Sequence, residues 1–148
     1  MKAKNKVINS IKMNFPSLSV NESAARVMVA AFSAQADPTT TELADIKCAV
    51  SEAVTNCIVH AYPDSIGEIY ISVKILEGRK ILIEIKDKGR GIEDIDLAKT
   101  PLYTGAPGEE RSGMGFTVME SFMDEMKVRS KVGKGTTVLL LKRLTQRR

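Results

Sequence analysis

Glu52, Asn56 and His60 lie four residues apart in a stretch whose apolar residues recur at helical spacing, so all three share one side of a helix. A carboxylate one turn from an amide can accept a proton and help to hold a cation, although a solvated helix face has the same spacing. Asp87-Lys88-Gly89-Arg90-Gly91-Ile92 comes directly after a strand-like run. A carboxylate at a strand end can accept a hydrogen bond from an exocyclic amine, and two glycines let the backbone turn and approach a flat ligand closely. A Gly-rich hairpin turn would read the same way. The segment is not a Walker loop, because no Gly-Lys-Ser/Thr follows, and it opens no helix as a dinucleotide fingerprint would. Arg111-Ser112-Gly113-Met114-Gly115-Phe116 stands at a helix start, where free N–H groups and the helix dipole favour phosphates. Arg111 could fork onto phosphate oxygens. Gly135-Thr136-Thr137 enters the last strand and by itself reads as a turn followed by β-branched residues.

The rest of the pattern predicts the scaffold for these groups. Ser10 to Phe15 alternates polar and apolar residues as a half-buried strand does, and Pro16 closes it. Ser19 to Glu22 has the form of a capping box and predicts a helix from about Glu22 to Gln35, with Val27, Met28, Ala31 and Phe32 on one face. Asp37-Pro38 breaks it. Thr39 to Glu42 offers a second capping box for a helix running to about Ala61, ended by Tyr62-Pro63. Leu43, Ile46, Val50, Ala53, Val54, Cys57 and Ile58 form its apolar stripe, with Glu52, Asn56 and His60 well off it. Ile69 to Ile75 and Ile81 to Ile85 make two strands around a turn at Glu77-Gly78. An irregular region spans Asp87 to Gly115, too long for a passive connection and of the kind that is usually functional or mobile. A short helix from Phe116 to Met123 and a hairpin of Met126 to Ser130 with Thr136 to Leu141 complete the chain. Helices and strands do not alternate strictly, which excludes a doubly wound parallel sheet. The expectation is an α+β, two-layer sandwich in one domain over residues 1–148, with a mixed, mostly antiparallel sheet and helices on one face.

Composition narrows the function classes. The 148 residues are 43% hydrophobic and 27% charged, which excludes wholesale disorder. Aromatic residues are 5% with no Trp, so the core must be aliphatic. No apolar run approaches the ~20 residues of a membrane span, and the basic start Met1 to Lys6 lacks the apolar stretch of a signal peptide. A cytoplasmic protein is expected. The net charge of +4 is spread along the chain, and its densest group, Lys142, Arg143, Arg147 and Arg148 in the tail 142–148, reads as solvated. Neither nucleic acid nor membrane is expected as a partner. Cys48 and Cys57 are nine apart on one helix, hence on opposite faces and unable to bridge. One histidine leaves no Cys/His zinc site.

E-x-x-x-N on a helix, D-x-G-x-G after a strand, G-x-G opening a helix and G-T-T at the last strand occur in that order. The series resembles the ATP-binding domains shared by gyrase, a heat-shock chaperone, histidine kinases and MutL, the Bergerat fold, over about Thr41 to Leu141. Val50 to Asn56 and Glu110 to Phe116 further resemble the serine protein kinases that act as anti-sigma factors. The run Arg111 to Glu120 with Phe122 to Glu125 is similar to the sporulation anti-sigma F factors in particular.

That resemblance implies ATP and ADP as nucleotides and Mg²⁺ as cofactor. It implies Asp87 at the adenine amine, Gly89 and Gly91 against the base, and Thr136 supporting the pocket through water, with Ile92 and Thr104 also in the nucleotide site. Asn56 would be the Mg²⁺ ligand and Glu52 the general base toward a serine hydroxyl. Ser112, Gly113, Met114, Gly115 and Phe116 would cradle the phosphates, with Arg111 near the terminal one. Thr100 to Glu110 would form the ATP lid, within a region of about 100–115. The implied partners are an RNA polymerase sigma factor and an anti-anti-sigma protein that supplies the serine. A homodimer is expected, its shared surface centred on Arg26, the only basic residue of an Ala-rich helix. The alternatives are a detached histidine kinase catalytic domain, a gyrase- or MutL-type clamp, and an ATP-gated module without phosphotransfer. The absence of a preceding phosphoacceptor helix speaks against the first, the end at Arg148 against the second, and Glu52 against the third.

Overall fold

The computed structural model describes residues 5–99 and 115–145. Five strands, β1 (Val7–Pro16), β2 (Glu68–Leu76), β3 (Lys80–Asp87), β4 (Glu125–Lys131) and β5 (Gly135–Arg143), form one sheet in the order β1-β2-β3-β5-β4. The expected mostly antiparallel sheet is present, and all four of these pairings are antiparallel. Helices α1 (Asn21–Ser33), α2 (Thr40–Asn56) and α4 (Gly115–Phe122) supply the second layer. A four-residue helix, α3 (Ile95–Ala98), interrupts the segment read as irregular, with the Asp94 carboxylate accepting from Leu97 N–H.

Strand alternation explains the layering. Ile69, Ile71 and Val73 of β2, Ile81, Ile83 and Ile85 of β3, and Val138 and Leu140 of β5 point the same way and are buried. They meet Val29 of α1, Ile46, Val50, Ala53 and Val54 of α2, and Phe116 and Met119 of α4. The core is aliphatic, as the composition required.

Helix α1 departs from the sequence reading in two ways. Its N-cap is Val20, already in helical conformation and without a side-chain cap, so the Ser19 capping box does not form. Glu22 instead faces Arg26 at 3.4 Å. Most of the face read as apolar is turned outward: Val27 is 58% and Met28 47% exposed and Ala31 is exposed too, whereas Phe32 is half-buried against the core. Ala25, Val29, Ala30 and Ser33 are the buried residues. Small side chains let α1 lie close on α2 around Val29, while Val27 and Met28 remain outside.

Helix α2 starts as expected. Thr39 Oγ1 accepts from Glu42 N–H at 3.0 Å, while Thr39 N–H donates to Glu42 Oε1 at 2.8 Å. Glu42 Oε2 also accepts from Thr145 N–H, tying the helix start to the end of the sheet. Lys142 is not part of a solvated tail. It is buried, with Nζ 2.9 Å from Asp45 Oδ2 and 2.6 Å from the Phe122 carbonyl, joining β5 to α2 and α4. Cys48 is exposed, Cys57 is buried, and both are free thiols.

Candidate functional site

Helix α2 does not simply end at Asn56. It passes into a π-helical turn, Cys57–Ala61, closed by Tyr62 N–H to the Cys57 carbonyl at 3.1 Å. Wider π turns occur often beside functional sites. Here the turn brings Cys57 and the Ala61 carbonyl to the end of β3. Arg90 N–H donates to Ala61 O at 3.2 Å, and a Cβ at Gly89 would overlap that same carbonyl. Tyr62 completes the brace: its hydroxyl donates to Glu68 O and accepts from Lys88 N–H at 2.7 Å. Burial pushes the Tyr62 phenol up, so it stays protonated and able to donate.

Asp87 ends β3 and is only 4% exposed. Its Oδ1 accepts from Gly89 N–H at 3.0 Å and from Thr136 N–H at 3.2 Å, and its Oδ2 from the Cys57 thiol at 3.5 Å. Burial raises its carboxyl above the ordinary range, partly opposed by the Gly89 N–H, the Cys57 thiol and the Thr136 N–H. Burial, then the charge of Asp87, pushes the Cys57 thiol well up, so it remains a donor.

The loop after Asp87 is fastened to the β4–β5 hairpin. Ile92 N–H donates to Ser130 Oγ at 2.8 Å, and Gly133 N–H donates to Arg90 O at 2.8 Å. Gly91 has φ of +79°, and a Cβ there would overlap the Lys131 carbonyl, so the clamp requires glycine. Ser130 Oγ also lies 2.8 Å from Thr136 Oγ1 and donates to Gly135 O at 3.0 Å. Thr136 reaches Asp87 directly through its backbone N–H.

Cys57, Asp87, Arg90 and Ser130, but not Gly89 or Tyr62, line a cavity of about 1290 Å³. That exceeds the ~300–1,000 Å³ of most small-ligand sites and is ample for a nucleotide. Asn56, Asp87, Gly91, Ile92 and Thr136 line it together with Gly115 and Phe116 at the start of α4. A Cβ at Gly115 would sit 2.9 Å from Asn56 Oδ1, so the first and third sequence motifs meet there. His60, placed off the apolar stripe, lines the cavity too. Glu52, half-buried one turn before Asn56, is not among its lining residues. Thr104, Arg111, Ser112, Gly113, Met114 and the lid Thr100 to Glu110 lie outside the described residues.

Sequence reasoning missed Cys57, Tyr62 and Ser130 as members of the site. Cys57 reads as part of the apolar stripe and Tyr62 as the helix stop, although Cys57 directly follows Asn56 and Tyr62 stands two residues after His60. Ser130 had no local signal, because it enters through its pairing with Thr136 across the hairpin.

Among the described residues no group of three or more His, Cys, Asp or Glu could hold a metal ion. The Asn56 amide oxygen, at the cavity wall, is a hard oxygen donor of the kind that magnesium takes from protein. None of the described helices is long and apolar enough to cross a membrane.

A buried carboxylate at the head of a glycine loop and an amide at the end of a helix thus line one cavity. The profile of the histidine kinase-like ATPase domain matches residues 15–142, which carries nucleotide binding with it. The RsbU and RsbW domains of a Mycobacterium tuberculosis protein share the fold, with a TM-score of 0.70 at 18% identity over 94% of this chain and a third (33%) of that longer one. Within the class the match is narrower. The anti-sigma F factor of Thermoanaerobacter sp. (strain X514) is 58% identical over 134 residues, 90% of this chain and 93% of that protein. The anti-sigma F factor of Priestia megaterium is 54% identical over 138 residues, 93% of this chain and 94% of its own. The chain belongs to the anti-sigma F factor family.

Proposed function

We propose that this protein binds ATP in the cavity over Asp87, phosphorylates a serine of an anti-anti-sigma protein, and holds a sporulation sigma factor of RNA polymerase inactive. The observation that carries the nucleotide site is Asp87: a buried carboxylate with Oδ1 bonded by two backbone N–H groups and, among the described residues, Oδ2 held by a thiol alone. An acceptor so placed suits the exocyclic amine of adenine. Its neighbours Gly89, Gly91, Ile92 and Thr136 would flank the base. Asn56 would hold Mg²⁺ with the nucleotide phosphates, and the ion would offset phosphate charge when bound. Gly115 and Phe116, with Arg111 to Met114, would receive the phosphates at the start of α4.

Glu52 would take the proton from the serine hydroxyl while the terminal phosphoryl group passes to the serine oxygen and ADP leaves. Such a reaction asks mainly for positioning and charge stabilisation. A homodimer built on the α1 and β1 surface, with Arg26 near its centre, would dock the sigma factor. The lid and phosphate side would engage the serine substrate.

Incubation with labelled ATP and an anti-anti-sigma protein tests the reading. Acid-stable label on the partner is expected; acid-labile label would indicate histidine transfer and overturn serine specificity. Glu52→Gln should retain ATP binding and lose about 10²–10⁴-fold in transfer rate. A loss under about tenfold would remove Glu52 from the role of general base.

A further inference from the structure

Among the described residues the Asp87 carboxylate meets three donors, of two kinds. Two are backbone N–H groups, from Gly89 and Thr136, and both go to Oδ1. They fix one edge of the carboxylate through the loop and through β5. The third is the Cys57 thiol, and it alone goes to Oδ2. Cys57 is 5% exposed, stands on the first residue of the π turn, and lines the cavity. Oδ2 is the oxygen left for a ligand, so its direction depends on what holds it.

From this geometry we infer that Cys57 is a positioning residue for ligand recognition, holding Asp87 Oδ2 toward the 6-amino group of a bound purine. The inference rests on the adenine assignment of Asp87 made above. Thiols are weak, long-range donors, and the 3.5 Å contact is long for an oxygen donor but ordinary for sulfur. A donor of that strength orients the carboxylate while leaving lone-pair density for the ligand amine. A hydroxyl at the same place would bond more strongly and compete for the oxygen. An alanine would leave Oδ2 without its protein donor and free the carboxylate to rotate about the edge held by Gly89 and Thr136.

The test separates recognition of the amine from support of the fold. ATP and purine riboside triphosphate, which lacks the 6-amino group, are titrated against the full-length wild type, Cys57→Ala, Cys57→Ser, Asp87→Asn and the Cys57→Ala/Asp87→Asn pair. Cys48→Ala, at the exposed thiol, is the control and should bind as wild type does. Cys57→Ala should weaken ATP about three- to tenfold, the scale of one ordinary hydrogen bond, and purine riboside triphosphate less than about twofold. Cys57→Ser should recover part of the loss. In the Asp87→Asn background, Cys57→Ala should have no further effect on ATP.

An equal loss for both nucleotides in Cys57→Ala, or full additivity with Asp87→Asn, would reduce Cys57 to a packing residue and overturn the inference alone. Unaltered ATP binding by Asp87→Asn would overturn the adenine assignment and the inference with it. Melting temperatures without nucleotide show which variants fold. If Cys57→Ala does not, the ratio of the two affinities in Cys57→Ser decides: a ratio moved from wild type supports the positioning role, and an unchanged one refutes it.

Discussion

At the scale of single residues, the site conflicts with its own stability. Asp87 is buried, and burial raises its carboxyl despite three hydrogen bonds. A carboxyl raised in the folded state contributes stability that is complete below the ordinary aspartate value of 3.8 and is lost as pH rises through the raised value. At neutral pH the ionised Asp87 therefore strains the empty protein, as acceptors built for a ligand commonly do. Asp87→Asn removes the charge, and its amide oxygen can still accept from Gly89 and Thr136. Its melting temperature without nucleotide should equal or exceed that of the wild type at pH 7. Its ATP affinity should fall by at least about 10- to 100-fold, because an amide N–H2 then faces the adenine amine. Calorimetric titration and a thermal scan of the same sample check both halves. The carboxylate and its glycines were legible in the sequence because D-x-G-x-G follows a strand with clear alternation. Cys57 was not, since a thiol on an apolar stripe reads as packing until the position of β3 is known.

At the scale of elements, what the sequence announces well is what is local. The Thr39 capping box, the β2–β3 hairpin and the last hairpin all form within a few residues of their expected bounds, each from short-range turn or cap chemistry. The Ser19 box fails because Val20 is already helical, a choice made by the turn from β1 in which Asn21 N–H bonds the Leu18 carbonyl. The outward face of α1 was misjudged for a tertiary reason: Ala and Ser pack closer to α2 than Val27 or Met28 can. Beyond helix capping, Glu42 is where local and long-range contacts join. Burial opposes its ionisation, but hydrogen bonds from Thr39 and Thr145 outweigh it and hold the carboxyl below its usual value of 4.5. A lowered carboxyl contributes stability present above that value and lost as pH falls through the folded one. Glu42→Gln should therefore cost about 1–2 kcal/mol at pH 7, measured by urea unfolding. The gap from wild type should narrow as pH falls below 4.5. A gap that is the same at pH 7 and in acid would mean that the charge of Glu42 plays no part.

At the scale of the whole molecule, helix α2 connects two distant surfaces. Its C-terminal end carries Asn56, pressed by Gly115 at the start of α4, and it packs along α1 on its other side. Helix α1 presents Val27 and Met28 outward, with Arg26 between Glu22 at 3.4 Å and Ser23 Oγ at 3.3 Å. Strand β1 beside it is a sheet edge, and Ile8 on it is 64% exposed. Exposed apolar residues around a tethered cation, next to an open strand edge, suit a protein interface better than a solvated face. In the proposed function that surface forms the dimer and docks the sigma factor. Nucleotide can bear on it only if ATP and ADP stabilise different states of the phosphate side, because a ligand shifts an equilibrium by its differential affinity alone. In the proposed function the terminal phosphate would lie where α4 begins, and α4 and α1 both pack on α2, so the coupling should be moderate. Sigma factor captured on immobilised protein should differ about tenfold between ATP and ADP, equivalent to ~1.4 kcal/mol. Arg26→Ala should lower capture in both nucleotides and leave ATP affinity within about twofold, since Arg26 lies on α1, outside the cavity lining. Capture that ignores both the nucleotide and Arg26 would refute the docking site and the gate together. A loss of ATP affinity in Arg26→Ala would instead place the effect of Arg26 in the fold.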